Sequence, residues 1–180
     1  QWPPSSSCSP GGSTSAASPT PAHRSGLAGA YNRYVDVSVD PIHDAAHEAH
    51  QAVLWPLFFT SFVIDDYLDD VLFSAGRLTG SGCVVISSAS SKTAIGLAFL
   101  LAQRAGVHVV GLTSPANAEF VAGLGCYHQV LTYDALQGLP GGEAAYVDIA
   151  GDPAVTHAVH THFADGLLRS LIVGDRKSVV

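Results

Sequence analysis

From residue 82 onward, short apolar runs alternate with longer segments whose apolar residues recur at helical spacing. The runs are continuously apolar, which is typical of parallel strands covered on both faces. Strands that alternate with helices at short spacing favour a parallel sheet wound on both sides. We therefore predict an α/β fold, a Rossmann-like doubly wound parallel sheet, over residues 81–174. The predicted strands are Cys83–Ser87, Val107–Thr113, Gln129–Tyr133, Ala144–Ile149 and Leu167–Val173, and the predicted helices are Thr93–Ala105, Pro115–Gly123 and Pro153–Phe163.

The preceding segment, residues 29–80, is less regular and is predicted to be a partial N-terminal or linking segment. Residues 43–51 read as a short polar piece with helical character. Within the later aromatic and acidic stretch, Thr60 or Ser61 is expected to cap a helix over Phe62–Phe73. Its predicted apolar stripe consists of Phe58, Phe62, Leu68, Val71 and Leu72.

Both ends of the chain differ in composition from the predicted domain. Residues 1–28 are rich in Ser, Pro, Gly and Ala, a composition typical of a disordered low-complexity tail. Residues 175–180 read DRKSVV and are expected to be a non-native tail. The sequence contains no Met, so we expect a fragment or a processed product of a longer protein.

Composition narrows the functional classes. Hydrophobic residues make up 47% of the chain and charged residues 13%, enough for a sizeable core. The net charge is −7 and the eight Lys and Arg residues form no basic cluster, which argues against nucleic-acid binding. No apolar run approaches the roughly 20 residues that cross a bilayer. Cys8, Cys83 and Cys126 form no CxxC pair, and no signal peptide is visible, so reduced thiols and a cytoplasmic location are expected.

The first strand-to-helix loop is the expected phosphate site, because amides at a helix N-terminus attract anions. Small hydroxyl residues stand where GxGxxG would place its early glycines, and only Gly96 remains, where we expect the helix to pack close to a strand. The P-loop pattern also fails here. The alternative is a Ser-rich turn that caps an ordinary helix. The candidate cofactor-binding residues of this loop are Ser88, Ala89, Ser90, Ser91, Lys92 and Thr93.

The ends of the second and third strands discriminate between nicotinamide cofactors. NAD-binding folds usually place an acid after the second strand, to bind the ribose hydroxyls. Here Thr113 and Ser114 stand there, with Asn117 nearby and no acid before Glu119. This favours NADP over NAD, and NAD stays open. Tyr133 is a further candidate, either for that phosphate or the adenine side, or else as a rim tyrosine of the sheet.

Other clusters of polar residues are interpreted as structural. Three histidines near residue 47 lack the additional ligands of a zinc site, and a solvated helix explains them, so no metal is predicted. Four aspartates between residues 65 and 70 are more typical of a wet helix face than of catalysis. Asp148 lies at a predicted strand end and either contacts cofactor or caps a turn. The clusters consist of His43, His47 and His50, and of Asp65, Asp66, Asp69 and Asp70.

Several stretches together resemble the DUF2855 family of uncharacterised proteins. They are YNRY near residue 31, PLFFTSFVIDDYL, SSASSKTAIGLAFLL, VVGLTSPANAEFVAGLGCYHQVLTYD, YVDIAG and LIVG. That family is similar to the medium-chain dehydrogenase/reductase superfamily, especially its quinone-oxidoreductase branch. The SASSKTA and GLTSPAN stretches are the most specific, since neither is a general Rossmann pattern.

The resemblance implies a GroES-like N-terminal domain, present here only as a remnant, followed by a Rossmann domain. It places the family loop on residues 88–93 and the second-strand end on Thr113, Ser114 and Asn117. It carries over no catalytic residue. The leading hypothesis is a zinc-independent, NADP(H)-binding oxidoreductase-like protein with an unknown small-molecule substrate, homodimeric in its full-length form. The alternative is a catalytically inactive Rossmann-like nucleotide-binding or scaffold protein.

Overall fold

The computed structural model describes Gly26, residues 36–78 and residues 82–174. The predictions for the N-terminal tail, apart from Gly26, and for residues 175–180 lie outside these ranges. The chain divides into two compact units, Gln1–Gln51 and Ala52–Val180. Each unit has its own internal contacts and is described separately.

In the first unit, aspartate side chains organise a series of turns. Asp40 accepts the amide of Ile42 at 3.0 Å, and Asp44 accepts the amide of Ala46 at 2.9 Å. The His47 ring lies 2.8 Å from Asp44, and this hydrogen bond lowers the pKa of the exposed carboxylate. Of the predicted helical piece over residues 43–51, residues 48–51 are helical. Residues 43–47 lie in turns instead, because the aspartates bind backbone amides locally.

The second unit contains a five-stranded, wholly parallel sheet in the order β3-β2-β1-β4-β5. This order reverses direction between β1 and β4, as the predicted Rossmann-like fold requires. The fold class and the five strands are therefore confirmed, with small shifts at the strand ends. The strands are β1 Cys83–Ile86, β2 His108–Thr113, β3 Gln129–Thr132, β4 Ala144–Asp148 and β5 Leu167–Ile172.

Helices cover both faces of the sheet. On one face, α1 (Glu48–Leu68) and α2 (Lys92–Ala102) pack over alternate residues of β1, β2 and β4. On the other face, α4 (Pro153–Phe163) packs over the remaining positions. A further helix, α3 (Ala118–Gly123), follows a 3₁₀ turn at Pro115–Asn117. Burial of both faces explains why the strands read as continuous apolar runs.

The helix preceding the sheet is longer than predicted. α1 runs from Glu48 and continues as a π-helical turn over Asp69–Phe73. The predicted cap at Thr60 or Ser61 is wrong, because both residues lie inside the helix. Their hydroxyls each lie 3.0 Å from the carbonyl oxygen four residues earlier, an arrangement that side chains of this type adopt within helices.

The buried face of this helix also differs from the predicted stripe. Ser61, Ile64, Asp65, Leu68 and Leu72 are buried, whereas Phe58 and Phe62 are exposed. Gly96 of α2 lies against this helix instead of against a strand: a Cβ there would stand 2.8 Å from the Ser61 hydroxyl. The glycine therefore permits close contact between two helices, and the expected strand contact is wrong.

The acidic cluster on α1 splits between pairing and solvent. Asp65 binds Arg104 through two hydrogen bonds of 2.9 and 2.7 Å, and Asp69 lies 2.9 Å from the same guanidinium. Hydrogen bonding to Asp65 raises the pKa of Arg104. Asp66 and Asp70 are exposed, as the wet-face interpretation predicts. Two of the four aspartates thus hold α1 to the end of α2.

Two of the three cysteines fall among the described residues, and both are free and buried. Burial raises the pKa of the Cys83 thiol to about 11, so its reactive thiolate is scarce near neutral pH. No helix within residues 36–78 and 82–174 is long and apolar enough to cross a bilayer.

Candidate functional site

The turn between β1 and α2 lies at the carboxyl edge of the sheet, beside the reversal in strand order. Ser91 is the N-cap of α2, and its hydroxyl accepts the Ala94 amide at 3.3 Å. Ser91 also donates its own amide to the Ser88 carbonyl at 2.8 Å, which closes the turn. A serine suits this position because its side chain satisfies an amide that the helix leaves unpaired.

Three amides of this turn remain available. Within the described part of the chain, no hydrogen-bond acceptor is found for the N–H groups of Ser90, Lys92 and Thr93. The first amides of a helix lack intrahelical partners and carry the positive end of the helix dipole. The exposed Lys92 side chain adds a formal positive charge. The turn therefore has the donors and the field that bind an anion.

Unlike its neighbours in this turn, Ala89 is buried and is hydrogen-bonded within the protein through both its amide and its carbonyl. Its side chain is buried, its amide donates to the Leu112 carbonyl at 2.9 Å, and its carbonyl accepts the Tyr127 hydroxyl at 2.9 Å. A Cβ on Gly111 would stand 2.8 Å from the Tyr127 ring. Tyr127 and Gly111 thus help to fix the turn, and our sequence interpretation missed both. The close ring packing has no local signature in the sequence.

Tyr133 reaches across the edge of the sheet from the end of β3. Its hydroxyl accepts the Ser88 amide at 2.9 Å, which leaves its own proton free to point toward another acceptor. Burial, followed by the carboxylates of Asp152 and Asp148, raises the pKa of Tyr133, while the Ser88 amide lowers it. The net shift is upward, so the hydroxyl stays protonated near neutral pH and can donate.

The structure also brings together the turns that follow β1 and β2. The Asn117 side-chain amide donates to the Ser90 hydroxyl at 3.2 Å. Ser114 precedes the 3₁₀ turn, and its carbonyl accepts the Asn117 amide at 3.0 Å. Thr113 is almost fully buried, and its carbonyl accepts the Tyr133 amide at 3.1 Å. Ser90, Asn117, Ser88 and Tyr133 thus interact across three consecutive loops, whereas Thr113 is a structural link.

The turn after β4 is stabilised by its own side chains. Asp148 is fully buried and accepts the Gly151 amide at 2.8 Å, so it caps a turn. Asp152 is the N-cap of α4 and accepts the amides of Ala154 and Val155 at 2.8 and 3.3 Å. Of the two roles considered for Asp148, the geometry supports turn capping.

The histidines are distributed over the surface. His160 lies 2.8 Å from the Ser170 hydroxyl, and His162 lies 3.0 Å from the Pro140 carbonyl. His47 and His50 have ring centroids 6.1 Å apart. Among residues 36–78 and 82–174, no group of three or more His, Cys, Asp or Glu side chains is arranged to hold a metal ion.

Several solved structures of larger proteins share part of this architecture. The crystal structure of AibC matches with a TM-score of 0.47 and 21% identity, over 67% of this chain and 36% of its own. The quinone oxidoreductase from Coxiella burnetii matches with a TM-score of 0.37 and 14% identity, over 68% of this chain and 43% of its own. The CurK enoyl reductase matches with a TM-score of 0.40 and 15% identity, over 69% and 44%.

The chain spans less than half of each of these three structures. No curated protein matches the sequence. The family model described as "Protein of unknown function (DUF2855)" matches residues 1–180, the whole sequence. The chain therefore belongs to the DUF2855 family.

Proposed function

We propose that the carboxyl edge of this sheet binds NADP(H), with the cofactor pyrophosphate on the turn between β1 and α2. The observation that carries the proposal is the set of unpartnered amides at Ser90, Lys92 and Thr93. They lie at a helix N-terminus directly after the first strand, beside the strand reversal, where dinucleotides bind in open α/β sheets.

The choice of NADP(H) over NAD(H) depends on the polar groups around the adenine side. Tyr133 can donate its hydroxyl proton, and Ser90 and Asn117 supply further hydrogen-bonding groups. Lys92 lies on the same turn and supplies positive charge. No acid follows β2 before Glu119, so no carboxylate would repel a 2′-phosphate there.

The proposed reaction class is hydride transfer to a small electrophilic acceptor. When bound, the nicotinamide would supply the hydride, and the protein would bind and orient it. The chain's own contribution is to hold the pyrophosphate on backbone amides and to keep the turn rigid through Ala89, Tyr127 and Ser91. The SASSKTA and GLTSPAN stretches resemble the DUF2855 family, and the similarity of that family to the quinone-oxidoreductase branch supports this class.

Titration of the purified intact protein with NADPH and NADH tests the proposal. We expect saturable enhancement of NADPH fluorescence, a raised melting temperature, and weaker binding of NADH. Absence of both signals with both cofactors would refute it.

A second candidate is nucleotide binding without redox turnover. It is favoured by the environment of Asp148, the acid at the strand reversal, which is buried and already accepts hydrogen bonds from three donors, on Ser87, Gly151 and Thr156. NADPH binding without its oxidation by quinones or enones would support this candidate over the first.

A further inference from the structure

A buried polar network connects the two turns on either side of the strand reversal. The Ser87 hydroxyl, directly after β1, donates to Asp148 Oδ1 at 3.0 Å. It also accepts the amides of Ile149 and Ala150 at 2.8 and 2.9 Å. Ser87 and Asp148 are both fully buried. One serine side chain therefore anchors the backbone that follows β4.

Asp148 extends the network into α4. Its Oδ1 accepts the Gly151 amide and its Oδ2 accepts the Thr156 hydroxyl, each at 2.8 Å. A buried carboxylate is stable only when several donors surround it. Because these donors come from a strand end, a turn and a helix, the network fixes the β4–α4 turn relative to the β1–α2 turn.

The distance between these two turns is important for a dinucleotide. In doubly wound sheets one nucleotide lies over the half that contains β1, β2 and β3, and the other lies across the reversal. The candidate phosphate and adenine contacts at Ser90, Asn117 and Tyr133 all belong to the first half. The nicotinamide nucleotide would therefore lie against the β4–α4 turn.

We infer that Ser87 and Asp148 are positioning residues for the nicotinamide half of the cofactor; this inference depends on the proposed NADP(H) binding. They do not touch the ligand, since both are buried. They act by holding residues 149–151 where the nicotinamide ribose can pack. Loss of the network loosens this turn and leaves the adenine half intact.

Two ligands separate the two halves in a calorimetric titration. NADPH spans the reversal, whereas 2′,5′-ADP occupies the adenine half alone. For Ser87→Ala we expect NADPH binding about tenfold weaker, the equivalent of one lost hydrogen bond to a charged group. Binding of 2′,5′-ADP should change less than about twofold. The control is Ser170→Ala, which removes the hydroxyl of a serine on β5 that lies 2.8 Å from His160, outside both turns. It should leave the ratio of the two affinities unchanged.

Thr156→Val provides a second variant should Ser87→Ala fail to fold. It removes one donor to Asp148 and should lower the ratio of the affinity for NADPH to the affinity for 2′,5′-ADP about threefold, the effect of a weak hydrogen bond. If the folded variants bind both ligands more weakly by the same factor, or bind both as before, the inference is overturned while the proposed function stands. Failure of the unsubstituted protein to bind NADPH would instead refute the proposed function, and the inference with it.

Discussion

The turns after β1 and β4 lie at the same edge of one sheet, yet they differ in whether their backbone amides have hydrogen-bond acceptors within the protein. After β4, side chains of Ser87, Asp148 and Asp152 accept amides of the turn and of the first turn of α4. After β1, the amides of Ser90, Lys92 and Thr93 have no acceptor among the described residues. The two turns have the same place in the topology, but side chains accept more of the backbone amides after β4 than after β1.

The difference shows how a ligand site can be recognised in this fold. At the start of α4 the amides of Ala154, Val155 and Thr156 all have Asp152 as acceptor, so this helix start needs no external partner. A helix start whose amides stay open has capacity for an external anion. The two turns also differ in which residue adopts a positive φ. After β4 it is a glycine, Gly151, with φ +67°, whereas after β1 it is Ser88, with φ +54°, a conformation that residues with a side chain rarely adopt.

Removing the carboxylate of the closed turn should have the largest effect. Asp148→Ala removes the acceptor of the Ser87 hydroxyl, which is fully buried, and of the Gly151 amide. It also removes one of the two acceptors of the Thr156 hydroxyl, which keeps the Asp152 carbonyl. We expect the free energy of unfolding to fall by about 3 kcal/mol, measured by urea denaturation. Asp66→Ala, at an exposed position on α1, should change it by less than about 0.5 kcal/mol. Equal effects of the two variants would contradict the assignment.

Placing a carboxylate in the open turn should abolish its preference for anions. In Ser90→Asp the new side chain can accept the free amides and repel phosphate. We expect the Kd for NADPH to rise about 100-fold, equivalent to about 2.7 kcal/mol. Ser170→Asp makes the same change at an exposed serine of β5 and should leave the Kd unchanged. Unaltered NADPH binding in Ser90→Asp would exclude this turn as the phosphate site.

The Tyr133 hydroxyl should discriminate between the two cofactors. Tyr133→Phe removes a donor that can reach the 2′-phosphate, and it frees the Ser88 amide. We expect NADPH binding to weaken about tenfold and NADH binding about twofold or less, in parallel fluorescence titrations. Equal losses for both cofactors would show that Tyr133 supports the turn without contacting the 2′-phosphate.

A reciprocal pair of substitutions sharpens the backbone comparison. Ser88→Gly removes the side chain that makes the positive φ costly and should raise the free energy of unfolding by about 0.5–1 kcal/mol. Gly151→Ser introduces the same conformational cost into the closed turn and should lower it by about 1 kcal/mol. Denaturation curves of both variants check the two signs. A loss of stability in Ser88→Gly would indicate that its side chain contributes more than its strained φ costs.

The smallest effect is expected at Tyr146, whose hydroxyl is buried. Within the described residues this hydroxyl makes no hydrogen bond of normal geometry, although Ser87, Asp148 and Thr156 lie close enough to influence its pKa. Burial raises that pKa to about 12. Tyr146→Phe should keep the free energy of unfolding within about 0.5 kcal/mol of the original, because no hydrogen bond is lost. A loss above about 1 kcal/mol would reveal a hydrogen bond from this hydroxyl.

The sequence was most informative where burial is uniform. Runs such as Val109–Leu112 identify strands because both sheet faces are covered, so every position must be apolar. Pro115 and Pro153 stand at the start of helical segments, where proline is tolerated, and the predicted helix starts agree. These signals are local, and they fixed the order of elements.

The remaining features depend on contacts between distant residues. The buried face of α1 is set by Ser61 and Asp65, which look like solvent-facing residues until Thr93 and Arg104 are brought against them. The Ser87–Asp148 hydrogen bond likewise joins residues 61 positions apart. Ser88 to Thr93 could be selected as a site from strand–loop–helix context. Which of their amides stay open could not, because that depends on Tyr133 and Leu112.

A titration of ¹⁵N-labelled protein with 2′-phospho-ADP-ribose, monitored through the backbone amide resonances, shows whether the β1–α2 turn binds the phosphates of the cofactor. This ligand carries the pyrophosphate and the 2′-phosphate and lacks the nicotinamide ring. We expect saturable shifts at the amides of Ser90, Lys92 and Thr93, with the capped amides of Ala154 and Val155 nearly unchanged. Unmoved resonances in the β1–α2 turn at a saturating ligand concentration would contradict the proposed phosphate site.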